Sequence, residues 1–435
     1  MKVTQLKKLF LSTLDSISHE KEKYVVDPKR DFSRQRKLGF KDTLLCILSM
    51  GGGTIQSELS HLTGNIPALT VSAFVQQRSK IKPEAFKSFF HLFSDSLSQN
   101  TQNQLKILAI DGSSIHIPTD PTDKESYFPT SDNHKAYNLL HLNAFFDLDK
   151  RIYTDVIIQK GQDNERSALN KMIARSKIPK ALIIGDRGYE SYNTLAHIQE
   201  KGWFFLIRIR NNNGMVSGVE IPNKRQFDQH FTLKLTRKQT NETKKLFKER
   251  NFYRFIPANT VFDFLPQKNK KADTIKFYSL DFRIVRFPVS EDKDVTIVTN
   301  LSQNEYPAWK LKELYHLRWG IETAFRSLKY TLGLLNFHAK KIVGILQEIY
   351  AKLIMYNFTQ MIVNHVSLEK RDRLYQYKVN FTVAVRLCRS FIRGKSPPKQ
   401  LESCILQNIL PIRNGRHHKR SSSRRKPPGF NYRIT

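Results

Sequence analysis

Acidic residues are scarce in this chain: 39 Asp and Glu stand against 72 Lys and Arg in 435 residues, a net charge of +33. Such an excess repels itself in the folded state and is tolerated best when a polyanion is the normal partner. Cysteine is scarce as well. Cys46, Cys388 and Cys404 lie far apart, with no CxxC or Cys/His spacing, which argues against a zinc site and against a disulfide framework. A long uninterrupted apolar run is missing. The most apolar stretch, Ile342 to Val363, is broken by Gln347, Glu348, Lys352, Asn357 and Gln360, so it reads as a buried helix and not as a membrane span. The amino terminus has no small-residue cleavage site of a signal peptide. Its Leu6, Phe10 and Leu14, four residues apart, predict an amphipathic helix instead. No membrane partner and a cytoplasmic location are the expectation. No internal repeat is present.

What is there is ample core material: 40% of the residues are hydrophobic and Phe alone numbers 29, which excludes a disordered polycation. The basic residues are spread along the whole chain, which suits nucleic acid. The length suits roughly two to four structural units. Residues 1–100 read as helical, with candidate helices at 41–50, 54–62 and 70–81 separated by glycine-rich turns. They are expected to form an N-terminal helical DNA-binding domain, with Gln76, Gln77 and Arg78 offering side chains that read base edges. An ordinary helical bundle is the plainer reading.

From Leu105 the texture becomes α/β: LKILAID, a strand pair over 139–149 and 151–160, a helix at 165–176, KALIIGD, a helix after Glu190, and WFFLIRIR. Residues 211–290 read as a mainly β insertion, with a polar basic loop at 265–274. DVTIVTNL returns to a buried strand. A single long helix is predicted from about Pro307 to Leu335. Residues 346–435 read as a helical region ending in a basic tail, Arg413 to Arg433, that contains no acid.

Asp111 and Asp186 each close an apolar strand, where ligands and catalytic groups collect in an α/β sheet. Taken alone, each reads more readily as a helix cap or turn residue. The long helix carries Tyr315, Arg318, Glu322 and Lys329 at offsets that fall within about 60° of one another at ~100° per residue. Leu317, Ile321, Ala324 and Leu328 are expected to bury on a neighbouring face, and Trp319 to pack. An exposed salt-bridged face accounts for one acid beside two cations. It does not account for the phenol at the head of the stripe or for the two upstream aspartates. Asp120, Asp147 and Asp155 read as turn or mid-strand residues, His116 as a plain strand position, and His417 and His418 as part of the tail.

The helix reproduces Y-x2-R-x3-E-x6-K, the signature of the IS-four family of bacterial insertion-sequence transposases, at all four positions. IDGS around Asp111, GDRGY around Asp186 and VTNL at 298–301 resemble the family's other blocks, and the long gap before Glu322 resembles its habit of inserting a β domain there. The resemblance spans roughly residues 105–335. It implies an α/β fold with an RNase H-like core in two parts, 101–210 and 291–345, interrupted by the insertion. It implies further that Asp111, Asp186 and Glu322 bind two divalent ions, Mg²⁺ or Mn²⁺. Tyr315, Arg318, Lys329 and Arg187 are then expected to hold phosphates. The implied activity is cleavage and joining of DNA at a mobile element's terminal inverted repeats and at target DNA, by a homodimer assembled on DNA. Some members pass through a hairpin with a flipped base; Trp203 and Trp309 are candidates to stack on it, though each reads more readily as core. A nuclease that cuts without joining, or a DNA-binding descendant without catalysis, stays open at this level.

Overall fold

The structure is a computed structural model. It describes residues 1–412 apart from 35–36, 64–68, 99–104, 132–134, 162–163, 211–213, 215–218, 268–275, 292, 367–375 and 395–396. The basic tail from Arg413, with His417 and His418, and most of the 265–274 loop lie outside the described residues. Six helices come first: α1 (Val3–His19), α2 (Lys21–Tyr24), α3 (Phe40–Ser49), α4 (Ile55–Thr63), α5 (Val71–Ser79) and α6 (Glu84–Ser98). The four-residue spacing in α1 works as its period requires, since Leu6, Phe10 and Leu14 are all fully buried. Thr70 caps α5 by accepting a hydrogen bond from Ala73 N at 3.2 Å.

The strands and helices of the α/β layer then alternate. They are β1 (Lys106–Ile117), β2 (Tyr127–Phe128), β3 (Tyr137–Asp147), β4 (Ile152–Lys160), α7 (Glu165–Arg175), β5 (Ala181–Gly185), α8 (Tyr192–Glu200) and β6 (Phe204–Arg208). Residues 227–290 add β7 (Phe227–Thr236), α9 (Asn241–Leu246), β8 (Tyr253–Phe255) and β9 (Tyr278–Ser290), and β10 (Lys293–Thr299) follows. All ten strands belong to one sheet, ordered β2-β3-β1-β5-β6-β10-β9-β7-β8, with β4 also on β3. The β1–β5 and β5–β6 pairs are parallel, while β3 runs antiparallel to β1 and to β4. The strands of the 211–290 stretch therefore extend the main sheet beyond β10.

Residue parity sorts the two faces of this sheet. Leu108 and Ile110 of β1, Ile183 of β5 and Ile207 of β6 pack with Leu169 and Met172 of α7 and Leu195 of α8. On the other face, Ala109 and Ile115 of β1 with Leu142 and Ala144 of β3 form one half of a layer. Ile184 of β5, Leu206 of β6 and Ile297 of β10 form the other half. The sheet is thus covered on both sides, which is why β5 (ALIIG) is an unbroken apolar run.

The remaining helices are α10 (Ala308–Leu317), α11 (Trp319–Arg326), α12 (Ile342–His365), α13 (Phe381–Ile392) and α14 (Pro398–Gln407), with a small β11–β12 pair (Tyr377–Val379, Ile409–Pro411). No described helix is long and apolar enough to cross a membrane. α12 is buried almost throughout, and Gln347, Glu348, Lys352 and Asn357 within it each bond to neighbouring elements. Asn357 accepts from Tyr153 N (2.8 Å) and donates to Tyr153 O (2.7 Å), satisfying the backbone where β4 slips register. Phe10 of α1 meets Phe89 of α6 and Phe358 of α12 with ring centroids 5.1 and 5.2 Å apart. The N-terminal helices and α12 share one core with the sheet.

Glu348 of α12 anchors this junction. Its carboxylate takes Arg78 Nη1 at 2.9 Å and the backbone amides of His338 and Ala339 at 3.0–3.1 Å, and it lies 3.6 Å from Lys352 Nζ. Burial opposes its ionisation, but the His338 bond and the charges of Arg78 and Lys352 outweigh it, holding the carboxyl well below the usual range. Arg78 Nε also donates to Gln347 Oε1 at 2.8 Å. Arg78 is therefore internal, and the expectation that it reads bases is corrected: its side chain closes the seam between α5 and α12. Removing Arg78 leaves a buried charge without its main partner. Arg78→Ala is expected to lower unfolding stability by roughly 3–5 kcal/mol. Urea melts showing a loss under about 1 kcal/mol would mean that the network does not hold the helices together.

Candidate active site

Ala109 of β1 pairs with Ile184 of the parallel β5, and extending that register by two residues sets Asp111 level with Asp186. By parity both point to the same face. This differs from the expectation that Asp111 ends its strand. β1 runs on to Ile117, paired with β3 throughout, and it is β5 that stops, at Gly185. Asp111 thus lies where its strand loses one neighbour, and the opening beside it belongs to the turn that starts at Asp186. Asp186 caps a short 3₁₀ turn, accepting from Gly188 N at 2.8 Å. Asp111 Oδ1 accepts from Gly112 N at 2.9 Å.

The signature helix crosses this same face, but in pieces. Its bonds tighten to a three-residue step at Arg318, with Arg318 N to Tyr315 O and Ile321 N to Arg318 O both 3.2 Å. It widens to a π turn at Ser327–Thr331, which holds Lys329. α10 covers the β5–β6–β10 half of the face through Leu311 and Tyr315. α11 packs on β1 and covers the β1–β3 half through Ile321, Ala324 and Leu328. Gly320 allows that approach: a Cβ there would stand 3.0 Å from Leu148 Cδ2. Arg318 and Glu322 consequently lie at the crossing, over the two aspartates.

Arg318 is buried, and its Nη2 donates to Glu322 Oε1 at 2.7 Å. Its guanidinium carbon lies 5.8 Å from the Tyr315 ring centre and 5.2 Å from that of Trp319. Burial pushes the Asp111 carboxyl up to about 6; the negative charges of Asp186 and Glu322 add to the rise, and Gly112 N–H and Arg318 oppose it. Lys329 is half-buried and lowered by that burial, with Asp111 pulling it back. Burial raises the Tyr315 phenol against the pull of Arg318 and Arg208. Asp111, Asp186, Arg318, Glu322 and Lys329 therefore share one electrostatic neighbourhood. Arg187 is exposed on the turn after Asp186. Among the described residues, no three His, Cys or carboxylate side chains stand close enough to grip one ion as they are placed. Glu322 is held back by Arg318.

Three expectations along the helix are corrected. Leu317 is 46% exposed and Trp319 47%, because the sheet takes the Tyr315–Arg318–Glu322 side of the helix and leaves their side to solvent. Trp309, read as core, is 64% exposed in the first turn of α10. Trp203 is buried as expected, its Nε1 donating to Ile178 O at 3.2 Å. The other acids need no metal. Asp147 binds the amides of Asp149 and Lys150, Asp155 binds Arg175, and Asp120 binds Thr122. His116 is a mid-strand residue beside Tyr137.

The sequence reading missed a pair on the opposite face. His141 Nε2 lies 2.7 Å from Glu165 Oε1, directly behind Asp111. A Cβ on Gly112 would collide with His141 Nε2 and stand 2.7 Å from Glu165 Oε1, so a larger residue after Asp111 would have to displace this pair. Arg166 Nε donates to Gly188 O at 2.8 Å, bracing the turn after Asp186. Gly112 directly after Asp111 and Gly188 two residues after Asp186 were the available signals.

A family model described as a transposase DDE domain matches residues 102–358. The chain belongs to the DDE transposase family. It is 22% identical over 347 residues to the transposase InsG of insertion sequence element IS4 from Escherichia coli K12, covering 75% of this chain and 70% of that protein. To the transposase of IS1151 from Clostridium perfringens it is 21% identical over 394 residues, 82% and 81% of the two chains. To that of IS231E from Bacillus thuringiensis subsp. finitimus it is 23% identical over 261 residues, 54% and 52%. A cryo-EM structure of the piggyBac transposase synaptic complex with hairpin DNA aligns over 97% of this chain and 88% of that one, with 11% identity and a TM-score of 0.47. The resemblance drawn from the signature helix is borne out by the family and its insertion-sequence relatives.

Enzymes of this family depend on divalent metal, and the residues of this transposase suit one. The available donors are carboxylate oxygens, the ligands that hard divalent cations take. The burial of Asp111 beside two further acids is a charge that a cation would neutralise. This has a measurable consequence without any ion. The folded value of Asp111, about 6, lies above its unfolded value near 3.8. The folded state binds the proton more tightly, so the destabilisation sets in as pH rises through that window and is absent below it. Asp111→Asn is expected to raise metal-free stability by roughly 1–2 kcal/mol at pH 7.5 and by little at pH 4. Thermal melts in chelator showing equal stability at both pH values would refute the burial of an uncompensated charge there.

Proposed function

We propose that Asp111, Asp186 and Glu322 are the catalytic carboxylates of a DNA transposase, holding two Mg²⁺ or Mn²⁺ ions and cutting and rejoining DNA at an element's terminal inverted repeats. The observation that carries this is the register of β1 and β5, which sets two aspartates side by side on the face crossed by Glu322. The β4–β3–β1 antiparallel meander continued by parallel β5 and β6 supports reading the core as RNase H-like. The 211–290 stretch is then the insertion between its two parts.

The ions, when bound, supply a nucleophilic water at neutral pH and stabilise the charge on the leaving oxygen. The chain's own residues do the positioning. Arg318, buried and bonded to Glu322, keeps a cation at the centre of three acids and limits where Glu322 can swing. Lys329 offers an ammonium on the side of Asp111, where it would hold a phosphate next to the scissile bond. The Tyr315 phenol, neutral because it is buried, can donate a hydrogen bond to a phosphate oxygen, and Arg187 meets the strand from the exposed turn. In cleavage, water oxygen bonds to phosphorus, the bond to the 3′ oxygen breaks, and that oxygen leaves with a proton. In joining, this 3′-OH attacks a target phosphorus, so no nucleotide is consumed. We further propose that residues 1–100 engage the element's ends and that two copies assemble on DNA, as befits an enzyme acting on DNA in the cytoplasm.

Asp111→Asn, Asp186→Asn and Glu322→Gln are each expected to abolish Mg²⁺-dependent cleavage and strand transfer while end binding stays within about threefold, since an amide keeps the shape and loses the charge. Robust cleavage by any one would remove that residue from the set. Lys329→Ala tests position against bulk charge. One contact among many changes the salt dependence of binding by only ~0.9 in log–log slope. Misplacing the scissile strand costs on the order of 10²-fold in rate. Single-turnover cleavage should therefore fall far more than affinity. A variant that cleaves normally once bound would make Lys329 an ordinary basic residue.

A further inference from the structure

Arg78 is turned inward, but a concavity of about 410 Å³ opens beside the C-terminal end of α5. Its lining includes Lys29, Arg30, Phe32, Arg34, Gln77 and Lys80. The walls are tied together. Val26 N donates to Lys80 O at 2.9 Å and Lys82 N to Tyr24 O at 2.8 Å, with Val25 bridged to Ile81. At the turn of the loop Phe32 adopts φ 56°, a left-handed conformation that an aromatic residue rarely takes. Its ring is fixed edge-on against Phe40, 5.5 Å away, and the Lys80 ammonium lies 5.9 Å from the ring centre. Among the described residues, none of Lys29, Arg30, Arg34 and Lys80 forms an ion pair. The loop's own acids are turned elsewhere: Asp27 accepts from Lys29 N at 3.0 Å and Asp31 from Asp27 N at 2.9 Å. No acid lines the pocket.

We propose that this pocket is a docking site for the sugar–phosphate backbone of duplex DNA, contacting phosphates and reading no sequence. The identity of the polyanion rests on the transposase reading; the site itself rests on the unpaired cations and the rigid walls. Lys29, Arg30 and Arg34 are exposed, so no buried charge has to be broken free, and binding releases the counterions condensed on the DNA. Such contacts fix the orientation of the duplex, and specificity comes from elsewhere.

The test compares two variants of equal charge change in the full chain. One replaces Lys29, Arg30 and Arg34 with Ala; the other replaces Lys171, Lys177 and Lys180, exposed residues outside the pocket. Binding to an end duplex and to an unrelated duplex is measured in chelator at several salt concentrations, so the outcome does not depend on the carboxylate assignment. The first variant should weaken on both duplexes alike and lose up to about 2.7 from the log–log salt slope, ~0.9 per contact. The second should keep the wild-type slope. Equal losses in the two variants would mean that the chain binds as a diffuse polycation, an unchanged slope in the first would empty the pocket of any role, and a loss confined to the end duplex would make it a base reader; each overturns the proposal.

Discussion

A parallel strand register that puts two carboxylates next to each other on one buried face is costly, and much of the surrounding structure answers that cost. Asp111 and Asp186 are level across β1 and β5, with Glu322 close enough for its charge to be felt. Burial in a region of low dielectric drives the Asp111 carboxyl towards protonation, and the like charges of Asp186 and Glu322 add to that rise. The protein relieves this with a single buried guanidinium. Arg318 bonds to Glu322 and its charge acts on Asp111, and its place at the junction of α10 and α11 lets it reach both. The tightened step there and the π turn further on break helical regularity at the two signature cations. Irregularity of that kind recurs at functional positions because it re-aims a side chain without ending the helix.

The same constraint explains the glycines. The sheet is thin at Asp111: the acid projects forward while His141 and Glu165 press from behind, and a Cβ on Gly112 would meet both. Gly320 does the equivalent work on the front, where α11 comes down onto Leu148. The short motifs around the signature acids are thus packing instructions as much as chemical ones.

Much of this was legible in the residues. Short apolar runs of five to eight residues predicted β5, β6 and β10, and four-residue spacing predicted α1, because burial on one or both faces leaves a strong periodic mark. The order of the acids and the signature spacing pointed to the site. What escaped had physical reasons. LKILAID looks finished at Asp111 because a polar residue interrupts the run, yet pairing with β3 carries β1 through Gly-Ser-Ser to Ile117. A uniform ~100° per residue predicts one straight helix, and neither the three-residue step nor the π turn has a composition of its own. Leu317 and Trp319 looked like core by hydrophobicity. Of the polar stripe, Tyr315 and Arg318 are buried beside Ile321, Ala324 and Leu328, while Glu322 and Lys329 are half-buried. Local sequence does not show which face a charged stripe will meet.

Arg78 carries the same lesson over a longer range. On α5 it resembles a residue that reaches for DNA, and its partner Glu348 lies 270 residues later in the chain, inside a helix whose polar residues look like interruptions. Once paired, the two commit α5 to α12, and α12 to the loop of His338 and Ala339 that follows the signature helix. The core of the N-terminal helices is continuous with the face of the sheet that carries Asp111. A duplex held against Lys29, Arg30 and Arg34 would be held by the same core that holds the carboxylates. No flexible joint would then be needed to bring the scissile phosphate into register, because the distance between where DNA is gripped and where it is cut is built into the packing of α5, α12 and β1.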